Sequence, residues 1–342
     1  MKLSEIGEFG FIDRIAPLGV NRTGDALRGI GDDCAVVKVE HETCLLVTTD
    51  LLIERVHFMR SWGPAKTLGR KSLAVNISDI AACGGIPRDA FVSIGVPEHV
   101  ELEWLEGFYQ GLNELAREYQ VNILGGDTTR SLSDIVINIA ITGVARADEV
   151  IFRNTAQPGN IIALTGPTGL SAAGCELLMR GRDRSDYWAE TLCAAHLDPR
   201  PHVAEGRFLA RSHQCTAAID VSDGLSSDLG HICQQSDVGA LIFEEKLLVS
   251  DVLAEAALYL NIDPLECVLH GGEDYVLIAC IDEEAFPSMQ AAASDMGVEL
   301  IAIGVTQKER GMRLKRRSGG EEVLKTRGLK KFSHRSWVTE KY

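Results

Sequence analysis

A chain of 342 residues, 45% hydrophobic and 24% charged, has the length for two domains with separate cores and the composition of a water-soluble globular protein. Its net charge of −15 argues against a nucleic-acid surface, and no apolar run reaches the length of a bilayer span. Nine cysteines without a C-x-x-C pair suggest neither a zinc cluster nor a disulfide framework, and MKLSEIGEFG has no signal-peptide profile. The expected setting is therefore a reducing cytoplasm, with neither membrane nor nucleic acid as partner.

In chain order, an N-terminal helix precedes GIGDDCAVVKVEHETCLLVTTD, residues 29–50. Ala35 to Val39 and Cys44 to Thr48 are β-prone runs around a polar turn, and an antiparallel hairpin brings Asp32 and Asp33 beside Asp50. A helix is expected from Ala65 to Cys83, then a strand from Ala90 to Val96. Leu102, Leu105, Phe108, Tyr109, Leu112 and Leu115 form a core-facing helical stripe up to about Tyr119. VNIL reads as a short strand that runs into GGDTTR, and Ile135 to Val144 alternates as a longer strand. RADEVIFRNTAQPGN then reads as a domain connection.

A second α/β series starts with the strand IIALTG and a helix opened by PTGLSAAG. TAAID reads as a strand running into VSDGLSSDLGHIC, a loop and helix that Ser222 or Asp223 can cap. A strand from Tyr275 to Ile281 follows HGGED, IAIGV supplies a late strand, and the stretch from Gly311 reads as basic and irregular.

Five separated places share acids and small residues at the edge of a strand or helix: GDD at 31–33, TTD at 48–50, SD at 78–79, GGD at 125–127 and IDVSD at 219–223. Each alone reads more readily as a capped helix or a solvated turn than as a metal site. Gathered together they demand compensation, because two carboxylates about 4 Å apart repel by roughly 4 kcal/mol at an effective dielectric of 20. Oxygen donors without adjacent Cys or His favour a hard cation, Mg²⁺ above all, and Mg²⁺ is habitually shared with substrate phosphates. Asp79 sharpens the demand: it lies near the C-terminal, negative end of an expected helix, among Ile77, Ile80, Ala81 and Ala82. The common phosphate loops are absent. GPAKTLGRKS has Arg70 where a P-loop needs Lys, and GIGDDC has Cys34 in place of a dinucleotide fingerprint's third glycine.

GIGDDCAVV, TTDLLIERVHF, KSLAVNISDIAACGGIPRDA, GGDTTRS, RNTAQPGN, IDVSDGLSSDLGHI and HGGEDYVL together resemble the thiamine-monophosphate kinases, within the AIR-synthase-like superfamily, from about Gly7 to Phe332. The resemblance implies an α/β fold of the α+β type, with mixed and antiparallel sheets carrying packed helices. It implies an ATP-binding, dimerising domain at 1–147 and a domain at 148–342 that completes the active site. Asp33, Thr48, Thr49, Asp50, Asp79, Asp127, Asp220 and Asp223 fall on metal-ligand positions, for several Mg²⁺ ions. Gly126, Asp127, Arg153 and Ser222 fall on ATP-contacting positions, and His57, Glu273 and Leu329 on substrate-contacting ones. At Leu329, within GLKKF, the family tends to carry an aromatic; leucine offers apolar contact without the ~0.5–1.5 kcal/mol of aromatic pairing.

The activity so implied is direct transfer from ATP to thiamine monophosphate, with no protein nucleophile, in a cytoplasmic homodimer. Two other readings stand beside it: another acceptor on the same fold, or a non-catalytic Mg²⁺-nucleotide scaffold. Residue by residue, His57 also reads as a hydrogen-bonded surface histidine, Glu273 and Asp274 as a solvated pair, and Arg153 as the partner of Glu149. Asp32 reads as a holder of its turn.

Overall fold

The computed structural model describes residues 3–16, 24–40, 42–182 and 186–327. They form two compact units, one from the residues up to Ile80 with Ile86–Ala147, the other from Ala81–Gly85 with the residues from Asp148 onward.

The first unit runs α1 (Leu3–Ile15), β1 (Ala26–Arg28), β2 (Ala35–Glu40), β3 (Thr43–Ile53), α2 (Ala65–Ala82), β4 (Ile86–Val96), α3 (Leu102–Glu118), β5 (Asn122–Arg130) and β6 (Val136–Arg146). Its six strands lie in the order β1-β2-β3-β6-β4-β5. All neighbours are antiparallel except β4 and β5. The alternation read in β6 is physical: Ile137, Ile139 and Ile141 are fully buried while Asn138, Ala140 and Thr142 between them are half-exposed. Each such isoleucine removed from water contributes about 1.5–3 kcal/mol. Leu73, Ile77 and Ile80 of α2 are equally buried, and Ile80 lies against Gly143 of β6, so α2 covers this inner face.

Two expectations need correction here. Of the stripe on α3, Phe108, Leu112 and Leu115 are buried, but Leu102 at the helix start is 64% exposed. What brings α3 against α2 is glycine. A Cβ on Gly111 would lie 1.7 Å from the Lys66 carbonyl oxygen, and one on Gly69 would lie 1.9 Å from that of Phe108. The strand read at VNIL does not stop there but continues through GGDTTR, because β4 offers a parallel partner from Asn122 through Arg130. Gly126, at φ 147°, makes this possible, since a Cβ there would meet the Val92 carbonyl oxygen at 1.7 Å.

The second unit contains β7 (Ile161–Leu164), α4 (Leu170–Met179), α5 (Tyr187–Leu197), α6 (Val203–Ser212), β8 (Cys215–Asp220), α7 (Leu225–Ser236) and β9 (Gly239–Phe243). It continues with α8 (Asp251–Leu260), α9 (Pro264–His270), β10 (Leu277–Ile281), α10 (Phe286–Asp295), β11 (Ile301–Gln307), β12 (Gly311–Lys315) and β13 (Glu321–Val323). Seven strands lie in the order β13-β12-β9-β11-β7-β10-β8. The stretch from Gly311 is thus a hairpin at the sheet edge rather than irregular chain: its Met312 and Leu314 alternate inward between exposed arginine and lysine. The core joins Ala163, Ala218, Leu277 and Ile281 of the sheet to Leu209 of α6 and Phe286 and Met289 of α10. Small residues on β7 and β8 let those helices sit close. Both units carry mixed or antiparallel sheets with packed helices. Among the described residues, no helix is long and apolar enough to cross a membrane.

Candidate active site

In the first unit the hairpin register sets the site. Ala35 pairs with Val47, so the chain entering β2 runs beside Thr48 and the residues after it. Alternation then turns Thr48 and Asp50 inward with Leu52, and Thr49 and Leu51 outward. On the inner face α2 meets them. Thr48 Oγ1 donates to Asp79 Oδ2 at 2.6 Å, Asp50 N donates to Asn76 Oδ1 at 3.0 Å, and Cys34 Sγ donates to the Asp79 carbonyl at 3.4 Å. Asp33 is only 8% exposed, and one of its carboxylate oxygens lies within 4.8 Å of one from Asp79. At an effective dielectric of 20, two charges so placed repel by roughly 3–4 kcal/mol. The last turn of α2 carries no basic residue to relieve this. Asp33, Thr48 and Asp79 therefore bring together oxygen donors whose chemistry suits a hard divalent cation, with Asp50 on the same face of β3.

Asp32 holds the turn: its Oδ1 accepts from Asp33 N at 3.0 Å and its Oδ2 pairs with Arg28 at 3.3 Å. Thr49 lies on the opposite, outer face, where Asn138 Nδ2 donates to its hydroxyl at 2.8 Å. Asp127 belongs with Thr49. The register row Leu51, Asn138, Ser93, Asp127 places its side chain on the outer face, three strands from β3, or about 14 Å at the usual strand spacing. Its Oδ1 accepts from Thr128 N at 2.9 Å. The first unit thus divides the candidate metal set into an inner group of four and an outer pair. His57 follows β3 through a turn with Arg55 at φ 67°, and its Nδ1 accepts from Ile53 N at 3.0 Å, which anchors the ring to the end of its own strand.

In the second unit the segments after β8 and before β10 are zipped by backbone hydrogen bonds. Val221 N donates to Val276 O, Tyr275 N to Val221 O and Glu273 N to Ser222 O, at 2.8–2.9 Å. Asp220, 1% exposed, ends β8 opposite Leu277. Neither Ser222 nor Asp223 caps α7. Gly224, at φ 129°, takes the cap position, where a Cβ would press on the His270 carbonyl oxygen at 2.8 Å. Asp228 in the first turn reaches back instead, accepting from Asp223 N at 3.1 Å and Gly224 N at 2.9 Å. Burial, then the charges of Asp223 and Asp220, push the Asp228 carboxyl well above the usual carboxylate range.

A second acid organises the other loop. Asp274 accepts from Gly169 N at 2.6 Å and Ser171 N at 3.0 Å, at the start of α4. Burial pushes its pKa up to about 7, against the pull of those two backbone donors. Glu273 beside it lies within 3.5 Å of His196 Nδ1, so the pair is a docked element and not a solvated turn. Arg153 is placed by Ser236, whose hydroxyl donates to the Arg153 carbonyl at 2.8 Å. Glu149 forms an ion pair with Arg207. Leu329 lies outside the described residues. The reading of the sequence missed Asp228, Asp274, Ser171 and His196 as site-building groups. The first had a legible signal, an acid four residues past the glycine of SDG at a helix start.

Residues 31–145 match the family model described as AIR synthase related protein, N-terminal domain, and residues 157–317 match that of the C-terminal domain. With two α/β units and acids at their strand ends, the chain is an AIR synthase related protein. It is 32% identical to the thiamine-monophosphate kinase of Bacillus subtilis over 95% of this chain and 99% of that one. It is 36% identical to the thiamine-monophosphate kinase of Escherichia coli K12, over 87% and 90%. The solved structure of AaThiL complexed with AMPPCP and TMP is similar with a TM-score of 0.84 at 30% identity, covering 96% of this chain and 98% of that one. The chain belongs to the thiamine-monophosphate kinase family.

Proposed function

We propose that this chain transfers the γ-phosphoryl group of ATP to the phosphate of thiamine monophosphate, forming thiamine diphosphate and ADP. The observation that carries the reading is the near full-length likeness to kinases of that name, together with a structural neighbour holding an ATP analogue and TMP. The acceptor is a phosphate oxygen already largely anionic near neutral pH, so transfer needs no strong base and no protein nucleophile. What it needs is two polyanions in line with their repulsion neutralised.

The inner acidic group is what fits Mg²⁺. Asp33 and Asp79 bring two carboxylates within 4.8 Å, and Thr48 and Asp50 bring further oxygens. We assign Asp33, Thr48, Asp50, Asp79, Asp220 and Asp223 to hold ions, and the outer pair, Thr49 and Asp127, to an ion apart from the inner group. Bound Mg²⁺ supplies charge neutralisation and alignment of the phosphates. The chain's own work is placement. Gly126, Asp127, Arg153 and Ser222 are assigned to ATP, and His57, Glu273 and Leu329 to the acceptor. Asp228 fixes the backbone of Asp223, and Asp274 fixes that of Glu273.

The working form is proposed to be a homodimer; the outer face of the first sheet, with Leu51 49% and Phe91 42% exposed, is what a second copy would cover. Nine free cysteines, six of them buried, fit a cytoplasmic setting. Incubation with ATP, Mg²⁺ and thiamine monophosphate is the test: ADP and thiamine diphosphate should appear in equal amounts. Turnover with a different acceptor only, or nucleotide binding without turnover, would replace this reading by one of the two others.

A further inference from the structure

Glu273 stands in the left-handed region at φ 65°, with Tyr275 two residues on at φ 55°. Such conformations cost of order 1–3 kcal/mol in non-glycine residues and persist only where the surroundings enforce them. Here they are enforced from two sides. The backbone of Glu273 and Tyr275 donates to Ser222 and Val221, and the carboxylate of Asp274 between them clasps the first turn of α4. The backbone of Glu273 is settled, which leaves its side chain to be aimed.

His196, on α5 and only 2% exposed, stands beside that side chain. Its Nδ1 lies 3.0 Å from Ser171 Oγ and 3.5 Å from Glu273 Oε2. A ring nitrogen facing both a hydroxyl and a carboxylate serves both oxygens when it carries the proton, whereas a bare lone pair would repel the carboxylate. Ser171 in turn donates its backbone N–H to Asp274. The contacts close a ring, Glu273–Asp274–Ser171–His196–Glu273, in which Ser171 and His196 are buried and Glu273 and Asp274 are partly exposed.

We propose that His196 is a positioning residue for the acceptor: through Nδ1 it aims the Glu273 carboxylate, with Ser171 holding the imidazole. The inference rests on the reading of Glu273 as an acceptor contact. His196→Ala should raise the KM for thiamine monophosphate roughly tenfold while the KM for ATP moves by less than about twofold. His196→Asn, whose amide nitrogen can take the place of Nδ1, should recover part of that loss. In the double variant with Glu273→Ala, the effect should equal that of Glu273→Ala alone, since His196 acts through it. Multiplying effects, or an acceptor KM unmoved in His196→Ala, would overturn the proposal. Imidazole ¹⁵N NMR provides a reading without substrate or a stability-threatening variant: Glu273→Gln should shift the His196 ring signals. Unmoved signals overturn the network itself. Shifted signals in a protein whose wild type turns over no thiamine monophosphate would instead sink the functional reading, and the acceptor role with it.

Discussion

At Asp79 a carboxylate meets the negative end of its helix and a neighbouring acid, with one threonine hydroxyl donating to it at 2.6 Å. Replacing it with asparagine keeps an acceptor for Thr48 and removes the charge. Asp79→Asn is expected to leave the fold intact, seen as an ion-free circular dichroism melt no lower than that of the wild type, and to lower turnover on the order of 100-fold or more, as loss of several kcal/mol of ion-mediated stabilisation requires. Near-normal turnover would remove Asp79 from the metal set. Gly126 makes a different kind of claim, steric and not electrostatic. With φ at 147° and a Cβ 1.7 Å from the Val92 carbonyl oxygen, Gly126→Ala cannot keep the β4–β5 pairing. Amide exchange over residues 126–130 should quicken and ATP binding weaken; unchanged protection there would show that the strand tolerates a side chain.

Between elements, glycine decides the α2–α3 crossing. At an exposed helix position Gly→Ala stabilises by up to about 1 kcal/mol. At Gly111 the added Cβ strikes the Lys66 carbonyl oxygen, so the sign should reverse, to about 1–3 kcal/mol of destabilisation in urea unfolding. The strands β7 and β10 are braced by Thr165, whose Oγ1 accepts from Leu277 N and lies 2.8 Å from His202 Nδ1. Burial holds His202 below its ordinary 6.5, against the pull of Glu205. The unfolded chain therefore binds the proton first, and the stability due to neutral His202 is complete above 6.5 and lost as pH falls below it. Asp274 runs the other way: its raised pKa contributes stability at low pH that is lost as pH rises through about 7. The two slopes oppose each other, so total stability hides both. Comparison with His202→Gln isolates one. The advantage of the wild type over this variant should shrink by about 2 kcal/mol between pH 7 and about pH 5. A constant difference would mean that His202 titrates normally in the fold.

For the whole chain, ligand linkage is the direct measure of the proposed chemistry. MgATP at about a hundred times its Kd should add ~2.7 kcal/mol and raise Tm by several degrees. With EDTA present, that shift and the turnover should both vanish while the ligand-free Tm stays put. A shift of Tm by ATP that survives EDTA would show that the acids bind no ion needed for nucleotide.

How much of this was legible in the residues follows from what local chemistry can encode. The alternation of Ile137, Ile139 and Ile141 and the helical spacing of Phe108, Leu112 and Leu115 state which faces are buried, because side-chain period is a local property. The Asp-bearing motifs and their order along the chain state the family for the same reason. Long-range pairing was not written there. GGDTTR became a strand because β4 ran alongside, and the stretch from Gly311 became a hairpin because β9 offered an edge. Only the register reveals that Thr49 and Asp127 face away from Asp79, and only packing sets His196 against Glu273, 77 residues further along the chain. Composition and period determined the elements and the acids they carry. Which of those acids share a face, and what holds them there, was decided by contacts between segments remote in sequence, whose partners no local pattern names.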